Sequence, residues 1–210
     1  MFVKSLSGRW FCGLGIVGSA IVLSANCSEA QIIPDNTLGA ESSVVTPNVV
    51  IRGIPSNRID GGATRGANLF HSFQDFNIGE GRGAYFSNPV GIANILSRVT
   101  GSNPSNILGR LGVLSNANLF FINPNGIIFG QNARLDVGGS FLASTANSLV
   151  FDQNFEFSTT NPQAPPLLTV KVPNGLQFGD NSGSIRTQST VLQVPQGNTL
   201  ALVGSEVRQC

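Results

Sequence analysis

Between residues 43 and 203 the sequence alternates short apolar segments with residues that form turns. Gly, Asn and Pro interrupt the apolar segments at close intervals, and no window keeps a 3.6-residue hydrophobic period over three helical turns. Short segments of this kind, separated by turn residues, favour β-strands. The sequence therefore predicts an all-β protein. The candidate strands are 43–51, 69–78, 84–87, 119–122, 127–130, 134–137, 141–143, 167–172 and 199–203.

One further segment also fits a helical face. Its apolar residues at helical spacing are Ile92, Ile95, Leu96 and Val99. The segment is short, lies between Gly91 and Gly101, and is followed by an Asn-Pro pair. Glycine and proline so close on both sides favour a strand over a helix of useful length. We interpret this segment as a strand.

A turn–strand–turn pattern occurs twice in the chain. Residues 125–132 read NGIIFGQN and residues 174–181 read NGLQFGDN. Repeats at a fixed period are typical of solenoids, and a coil of roughly 20 residues makes the offset equal to two coils plus a small insertion. We therefore interpret the two copies as equivalent strands of a parallel β-helix. Its corners suit Gly and Asn, and stacked Asn amides can hydrogen-bond along the axis, which fits the 21 Asn of this sequence.

Residues 151–168 break this rhythm. They include Asn161, Pro162, Pro165 and Pro166, and proline cannot donate a hydrogen bond to a sheet ladder. We expect an extra-helical hairpin or loop here. The expected organisation is a signal peptide at 1–30, a cap and first coils at 31–110, coils around the central turn at 111–150, the insertion at 151–168 and further coils at 169–210.

The first thirty residues have the layout of a secretory signal peptide. Lys4 and Arg9 precede an apolar run at 10–25, and small residues stand one and three positions before a cut between Ala30 and Gln31. The run is shorter than the roughly 20 residues that a membrane-spanning helix needs. The sequence thus predicts export, with cleavage between Ala30 and Gln31.

Removal of residues 1–30 changes the charge and the thiol content. It leaves equal numbers of basic and acidic side chains, so the mature chain is neutral and lacks the basic surface that nucleic-acid binding requires. Cys12 and Cys27 are removed as well, which leaves Cys210 as the sole thiol and excludes an intrachain disulfide. The alternatives to cleavage are an uncleaved anchor and a lipoprotein acylated at Cys27, although Asn26 stands where such signals carry a small residue.

The central turn is residues 123–127, which read NPNGI. Pro124 suits the second position of a type I turn, Asn123 can cap the turn through its side chain, and Gly126 fits the fourth position. Apolar residues flank the motif on both sides. The pattern indicates a tight turn between two buried strands.

The segment around this turn, FINPNGIIFG at 121–130, resembles the signature of the N-terminal secretion domain of filamentous haemagglutinin-like exoproteins, the exported partners of two-partner secretion. Further matching segments, in chain order, are FQDFNI at 73–78, ILSRVTG at 95–101, GSFLAST at 139–145 and NTLALVG at 198–204. The resemblance extends over residues 35–207. It marks Asn123, Pro124, Asn125, Gly126 and Ile127 as a partner-recognition turn, and Phe73, Phe76, Asn77 and Arg98 as secondary family-matching positions.

The resemblance implies a right-handed parallel β-helix with an N-terminal β cap and extra-helical strands. It implies passage through the inner-membrane general secretion machinery and then recognition by a TpsB-type outer-membrane transporter, which has periplasmic modules and a β-barrel. The protein would be secreted or held at the surface of a Gram-negative-type bacterium, where its β-helix folds. Many relatives are adhesins, so host or surface glycans are implied as partners of a downstream region. The resemblance implies no cofactor.

Two departures from the family pattern stand out. Many relatives carry a second motif, NPNL, upstream of NPNGI, and the nearest candidate here is NPSN at 103–106. The sequence also ends at Cys210, directly after a candidate strand and without a repetitive region. We interpret it as a truncated product or as an N-terminal fragment of a longer protein.

The alternative function is a secreted β-helix protein that binds or degrades polysaccharide. Such enzymes need paired carboxylates or a cation held by acidic residues. The acidic residues are scattered, and Asp75 and Glu80 form the closest plausible pair. His71, the single His of the sequence, is interpreted as a partly buried, hydrogen-bonded residue. We predict no catalytic residue, no metal and no cofactor, and a protein that is not an enzyme.

Overall fold

The computed structural model describes residues 31–152, 155–164, 171–180, 182–188 and 190–210. These residues contain a short 3-10 helix at Gly39–Glu41 and otherwise β-strands, which confirms the all-β prediction. The strands are β1 (Ile32–Pro34), β2 (Ser43–Ile51), β3 (Ile54–Gly61), β4 (Ala63–Arg65), β5 (Asn68–Phe76), β6 (Gly83–Phe86), β7 (Asn94–Val99), β8 (Ser105–Ile107), β9 (Arg110–Val113), β10 (Asn118–Ile122), β11 (Ile127–Phe129), β12 (Arg134–Asp136), β13 (Phe141–Ser144), β14 (Ser148–Val150), β15 (Glu156–Ser158), β16 (Gly175–Gln177), β17 (Ser184–Thr187), β18 (Leu200–Val203) and β19 (Glu206–Gln209).

Most strands lie in three sheets that run along one axis. Sheet 1 has the order β1-β5-β7-β10-β13-β18, with β4 also beside β5; sheet 2 has the order β19-β17-β11-β8; sheet 3 has the order β12-β9-β6-β3-β2. The chain passes through sheet 3, sheet 1 and sheet 2 in turn, as in β9, β10 and β11. Each circuit lays its strands parallel to those of the previous circuit. The architecture is the predicted parallel β-helix.

Successive coils stack with the side chains of one coil above those of the next. Asn94 follows Asn68 by 26 residues and Asn118 follows Asn94 by 24 residues at matching positions, so these coils are longer than the roughly 20 residues expected of a short-period solenoid. Alternate side chains along each strand point into the space between the sheets. This interior is apolar and rich in Phe; it includes Leu69, Phe73, Phe76, Phe86, Ile95, Leu119, Phe121, Phe129 and Phe141.

Antiparallel strands cover the first end of the β-helix. β1 and β4 pair antiparallel with β5, and β2 pairs antiparallel with β3. These strands supply hydrogen-bond partners for backbone groups that the first parallel strands of sheets 1 and 3 would otherwise leave unpaired. They correspond to the expected N-terminal β cap.

A small antiparallel sheet of order β15-β14-β16 lies outside the β-helix. It packs against the outer face of sheet 1, where the ring of Phe157 meets the ring of Phe70 edge-on at 5.0 Å between centroids. The outer cluster formed there comprises Leu38, Ala63, Phe70, Leu96, Ile122, Leu149, Phe151 and Phe157. This extra-helical sheet extends on both sides of the expected insertion 151–168, since β14 precedes it and β16 follows it.

The two turn–strand–turn copies are not equivalent, so their interpretation as matching coil strands is wrong. β11, from the first copy, pairs parallel with β8 and β17 in sheet 2. β16, from the second copy, pairs antiparallel with β14 in the extra-helical sheet. The strand that stacks on β11 in the next coil is β17, with Ile185 beside Ile127. Both copies form a turn and a strand, but a local sequence does not determine which strand becomes the partner.

Most of the other strand candidates are strands in the described residues. The segment with helical spacing forms strand β7, as predicted. Each remaining candidate contains a strand except 167–172, of which residues 167–170 lie outside the described residues. The expected signal peptide at 1–30 lies outside them as well. In the described part of the chain, no helix has the length and apolar character that a membrane crossing requires.

Candidate functional site

Residues 123–127 form the corner between β10 in sheet 1 and β11 in sheet 2. The N–H of Gly126 donates to the carbonyl of Asn123 at 3.2 Å, and Oδ1 of Asn123 accepts the backbone N–H of Asn125 at 3.0 Å. Gly126 has a φ of 122°, a backbone conformation that favours glycine. The structure confirms the tight turn capped by the Asn123 side chain.

Side-chain amides bind this corner to the preceding coil. The side chain of Asn123 is fully buried, and its Nδ2 donates to the carbonyl of Asn103 at 3.0 Å and to Oγ of Ser105 at 2.9 Å. Nδ2 of Asn125 donates to the carbonyl of Gly101 at 2.7 Å. Asn123 therefore has partners at both its amide nitrogen and its amide oxygen, as a buried amide requires.

The following coil closes over the same corner. The N–H of Gly183 donates to the carbonyl of Pro124 at 2.6 Å. A Cβ atom at Gly183 would stand 2.5 Å from the backbone carbon of Asn125, so only glycine fits there without a shift of the backbone. Pro124 is partly exposed and Asn125 is exposed, whereas the other three motif residues are buried. In the folded chain the NPNGI motif is thus mainly an internal joint between coils.

The NPSN segment at 103–106 lies directly beneath this corner. Ser105 pairs with Ile127, so Pro104 lies beside Gly126 and not beside Pro124. Nδ2 of Asn103 donates to Oδ1 of Asp75 at 2.8 Å. The segment supports the NPNGI corner from the preceding coil, but its Asn-Pro pair does not occupy the equivalent turn position.

Three of the secondary positions build the first coils. Phe73 and Phe76 are interior residues of β5 whose ring centroids are 5.1 Å apart, and Phe76 also contacts Phe121 at 4.9 Å. Asn77 follows β5, and its Oδ1 accepts the backbone N–H of Asn106 in the next coil at 2.9 Å. These residues contribute to the core and to a coil-to-coil joint.

Arg98, the fourth secondary position, lies on the outer face of β7 and is fully buried. Its Nε donates to Oγ of Ser72 at 2.9 Å, and its Nη1 donates to the carbonyl of Ser158 at 2.8 Å. Its Nη2 donates to Oγ1 of Thr37 at 2.9 Å and to the carbonyl of Gln163 at 3.2 Å. One guanidinium group therefore joins the N-terminal segment, strand β5 and the extra-helical segment.

Arg98 stays positively charged although its side chain is buried. Burial lowers the pKa of Arg98 to about 10, an effect that the nearby carboxylate of Asp35 partly opposes, so the group is ionised at neutral pH. Burial also acts to raise the pKa of Asp35, but hydrogen bonds to its carboxylate, of which the one from Thr100 measures 2.6 Å, hold that pKa below its ordinary value. The guanidinium carbon of Arg98 lies 4.1 Å from the ring centroid of Phe157, within cation–π range.

A ladder of stacked asparagines runs along the start of sheet 1. Nδ2 of Asn94 donates to Oδ1 of Asn68, and Nδ2 of Asn118 donates to Oδ1 of Asn94, both at 2.9 Å. The ladder continues at one end to the carbonyl of Lys171 and at the other end to the backbone N–H of Ser140. The expectation that Asn amides stack along the axis is confirmed for this row.

A family model of the TPS secretion domain, the domain of two-partner secretion, matches residues 30–209. The chain belongs to this family. A heme/hemopexin-binding protein of Haemophilus influenzae strain Rd is 36% identical to this TPS domain over 69 residues, which are 33% of this chain and 7% of the relative. A second heme/hemopexin-binding protein of Haemophilus influenzae is 37% identical over 73 residues, which are 35% of this chain and 8% of the relative. The matches thus span a small fraction of the length of these curated relatives.

The family confirms the predicted class of function. TPS domains are secretion domains of exoproteins that cross the outer membrane of Gram-negative bacteria, and a TpsB transporter is their partner. The family is one of non-enzymatic domains. The resemblance found in the five sequence segments therefore identified the family correctly.

Asp75, one of the two acidic residues considered for catalysis, has a structural partner in the TPS domain. Its Oδ1 accepts a hydrogen bond from Nδ2 of Asn103 at 2.8 Å. The described residues also contain no group of three or more His, Cys, Asp or Glu side chains that could hold a metal ion.

His71 lies in the interior of the TPS domain and is more deeply buried than the sequence suggested. Its exposed fraction is 0%, and its Nδ1 lies 3.0 Å from Oγ of Ser43. Its Nε2 has no hydrogen-bond partner among the described residues, and its ring centroid lies 5.1 Å from that of Phe86. Burial lowers the pKa of His71 to about 3, an effect that Asp60 partly opposes.

The NPNGI corner was predictable from the sequence, whereas the role of Arg98 was not. The corner could be predicted because its turn residues are neighbours in the chain. The carbonyls that bind Arg98 belong to Ser158 and Gln163, which follow it by 60 and 65 residues. Strand periodicity carries no signal for such contacts, and only the family resemblance drew attention to this arginine.

Proposed function

We propose that the TpsB-type transporter recognises residues 123–127 of this TPS domain while the chain is extended, and that the same residues then form the corner that joins successive coils. One observation supports this order of events. The side chain of Asn123 is fully buried in the folded domain, so a partner can bind it only before the coils have stacked. An extended segment can add to a sheet edge of the periplasmic modules by β-augmentation.

Export to the transporter begins at residues 1–30 in this proposal. The general secretion machinery of the inner membrane takes up this segment, and cleavage occurs between Ala30 and Gln31. The carbonyl of Gln31 accepts the N–H of Asn77 at 3.0 Å, so the residue after the proposed cut already belongs to the fold. Mass spectrometry of the exported protein should find Gln31 at its start, and an acylated Cys27 there would contradict the proposed cut.

Folding at the cell surface then gives export its direction. Each coil that stacks adds a row of backbone hydrogen bonds and buries apolar side chains, and fully burying one Leu, Ile or Phe contributes about 1.5–3 kcal/mol before chain entropy is counted. A folded coil cannot re-enter a pore that admits an extended chain. The free energy released by each coil would therefore oppose backward movement.

Two variants separate recognition of the motif from stability of the corner. Asn123→Ser alters the motif itself and removes its amide from the corner. Gly183→Ala leaves NPNGI intact but places a Cβ where it would stand 2.5 Å from the backbone of Asn125, so it weakens the same corner from the neighbouring coil. The protein found outside the cell, beside its transporter, is measured together with the urea midpoint of each purified variant.

We expect Asn123→Ser to lower secretion at least tenfold more than Gly183→Ala does, even where both variants lose similar stability. The matched control is Asn116→Ala, at an exposed corner residue between β9 and β10, and this variant should be secreted normally. If secretion of the Asn123 and Gly183 variants falls in proportion to their lost stability, the motif acts only through the fold, and recognition in the extended chain is refuted.

We further propose that the domain is a secretion and folding module without catalysis, and that binding of host ligands by the whole exoprotein, including adhesion to glycans, occurs in other regions. The relatives are named for haem and haemopexin binding, but the matches cover 7% and 8% of them. The single His of the sequence is His71, which is buried and so cannot reach a haem iron. Titration of the purified domain with haem should leave the Soret band of free haem unchanged; a shifted band would contradict this assignment.

A further inference from the structure

The partners of Arg98 come from segments that are far apart in the chain. Thr37 precedes it by 61 residues and Ser72 by 26 residues, whereas Ser158 and Gln163 follow it by 60 and 65 residues. The side chain is fully buried only where all these segments meet. A buried guanidinium that lacks part of its partners destabilises the folded chain strongly.

The N-terminal side of this cluster is held by a carboxylate. Oγ1 of Thr37, which accepts from Arg98, donates to Oδ1 of Asp35 at 2.6 Å. Oδ2 of Asp35 accepts from Ser72 at 2.7 Å and from Thr100 at 2.6 Å. Residues 35–37 therefore dock on β5 and β7 through the same polar network that contains the arginine.

The opposite side of the cluster belongs to the extra-helical segment. Phe157 lies over the guanidinium of Arg98 and also packs against Phe70 in the outer cluster. Leu96, on the same face of β7 as Arg98, is buried in that cluster as well. Until residues 156–163 are in place, the outer face of the first coils would expose both an incompletely bonded cation and an apolar row.

We propose that Arg98 is a folding latch, a positioning residue that couples docking of residues 35–37 to docking of residues 156–163. Neither segment closes stably on sheet 1 until the other is present. During export from the N-terminus, the first coils would therefore reach full stability only after residue 163 has emerged. This inference rests on the fold and goes beyond the proposed recognition of NPNGI.

Hydrogen exchange of the purified, folded protein tests the coupling without any transporter. Thr37→Val removes the hydroxyl that meets Arg98 from the N-terminal side. No hydrogen bond joins Thr37 to residues 156–163 in the described part of the chain, so a direct effect on them is not expected. If Arg98 couples the two segments, the hydrogen-exchange rate of the backbone amides at 156–159 should rise at least threefold in the Thr37→Val variant. The matched control is Thr64→Val, at an exposed threonine of the same cap, which should leave those amides unchanged.

The reverse experiment starts from the extra-helical side. Phe157→Leu should raise exchange at the N–H groups of Asp35 and Thr37, which bond to the Ser72 carbonyl and to the Asp35 carboxylate respectively. In an Arg98→Lys background, which keeps the charge but loses the planar fork of donors, each single change should affect only its own segment.

Independent responses of the two segments in the otherwise unmodified protein would refute the latch. If the Arg98→Lys variant fails to fold, hydrogen-exchange pulse labelling during refolding of the unmodified protein tests the latch instead. The latch requires residues 35–37 and 156–159 to become protected in the same kinetic phase, and earlier protection of 35–37 overturns it. These exchange experiments contain no transporter, so a result against the latch would not count against the proposed recognition of NPNGI. A negative result in the secretion test would likewise not count against the latch.

Discussion

Asn123, Arg98 and His71 are polar residues with an exposed fraction of 0%, and their hydrogen bonds differ in completeness. Asn123 uses both ends of its amide, and Arg98 donates to four oxygen atoms. His71 bonds through Nδ1 but has no partner for Nε2 among the described residues. A buried polar group without a partner costs about 1–3 kcal/mol. His71 is therefore the buried residue whose protonation should most affect stability.

Stability should fall as the pH drops below 6.5 because of His71. Its pKa is about 3 in the folded chain, against 6.5 for a histidine exposed to water, so the unfolded chain binds the proton first. The contribution is fully present above pH 6.5 and is lost progressively between pH 6.5 and 3. We expect the free energy of unfolding at pH 5 to lie about 2 kcal/mol below its value at pH 7.5. Urea unfolding at both pH values measures the difference.

The matched variants for this test are His71→Gln and Ser43→Ala. His71→Gln removes the titrating group and should flatten the pH dependence, while Ser43→Ala keeps the histidine and should retain the dependence at lower overall stability. Asp35 also has a lowered pKa, but its ordinary value is 3.8, so its contribution is lost below this pH range. An equal loss of stability between pH 7.5 and 5 in the Gln variant would rule out His71 as the cause.

Among single residues, those with local roles were predictable and those with distant partners were not. The turn at Asn123 and Gly126 follows from residue types that stand side by side. Burial of His71 depends on Phe86 from another strand and on Ser43 from the cap, and the contacts of Arg98 depend on the extra-helical segment. The sequence contains all these residues but no local pattern that brings them together.

At the level of the strands, the same substitution should have different costs at two positions of the asparagine ladder. Asn94 is buried and has an Asn neighbour on both sides, whereas Asn118 is partly exposed. Asn94→Ala would remove two side-chain hydrogen bonds from a buried position, the one to Oδ1 of Asn68 and the one from Nδ2 of Asn118, and we expect the free energy of unfolding to fall by about 2–4 kcal/mol.

Because Asn118 is partly exposed, water can replace part of the hydrogen bonding of its side chain. We therefore expect Asn118→Ala to lower the free energy of unfolding by about 1 kcal/mol. Urea unfolding of the two variants under the same conditions gives both values. Equal losses would show that the ladder does not act as a connected row.

Strands were easier to predict than their partners. Apolar alternation and turn residues identified about half of the described strands, including β7 with its helical spacing, but did not identify β3, β8, β9 or β17. The same signals made β11 and β16 look equivalent, yet β11 pairs parallel within the β-helix and β16 pairs antiparallel outside it. Pairing is decided by which face the neighbouring coils leave open, here the apolar outer face of sheet 1 that the extra-helical sheet covers. That face is visible only once the coils are stacked.

At the scale of the whole molecule, the two ends of the β-helix differ. The first end carries the antiparallel strands β1 and β2. At the other end, β18 and β19 are the last strands of sheets 1 and 2 in the described chain. Leu200 and Val207 stack on the interior residues Phe141 and Ile185 but are 37% and 48% exposed. Apolar side chains beside a strand edge favour pairing with another chain.

We therefore expect a purified fragment of residues 31–210 to associate with itself through β18 and β19 as its concentration rises. Val207→Lys places a charge among these apolar side chains and should shift the protein towards monomer, because pairing there would bury an unpaired ammonium group. The matched control is Val90→Lys, at a fully exposed loop residue, which adds the same charge elsewhere. Sedimentation velocity over a concentration series measures the difference. Equal sedimentation of the two variants, or a monomer at every concentration in the unmodified protein, would show that β18 and β19 are not an adhesive edge.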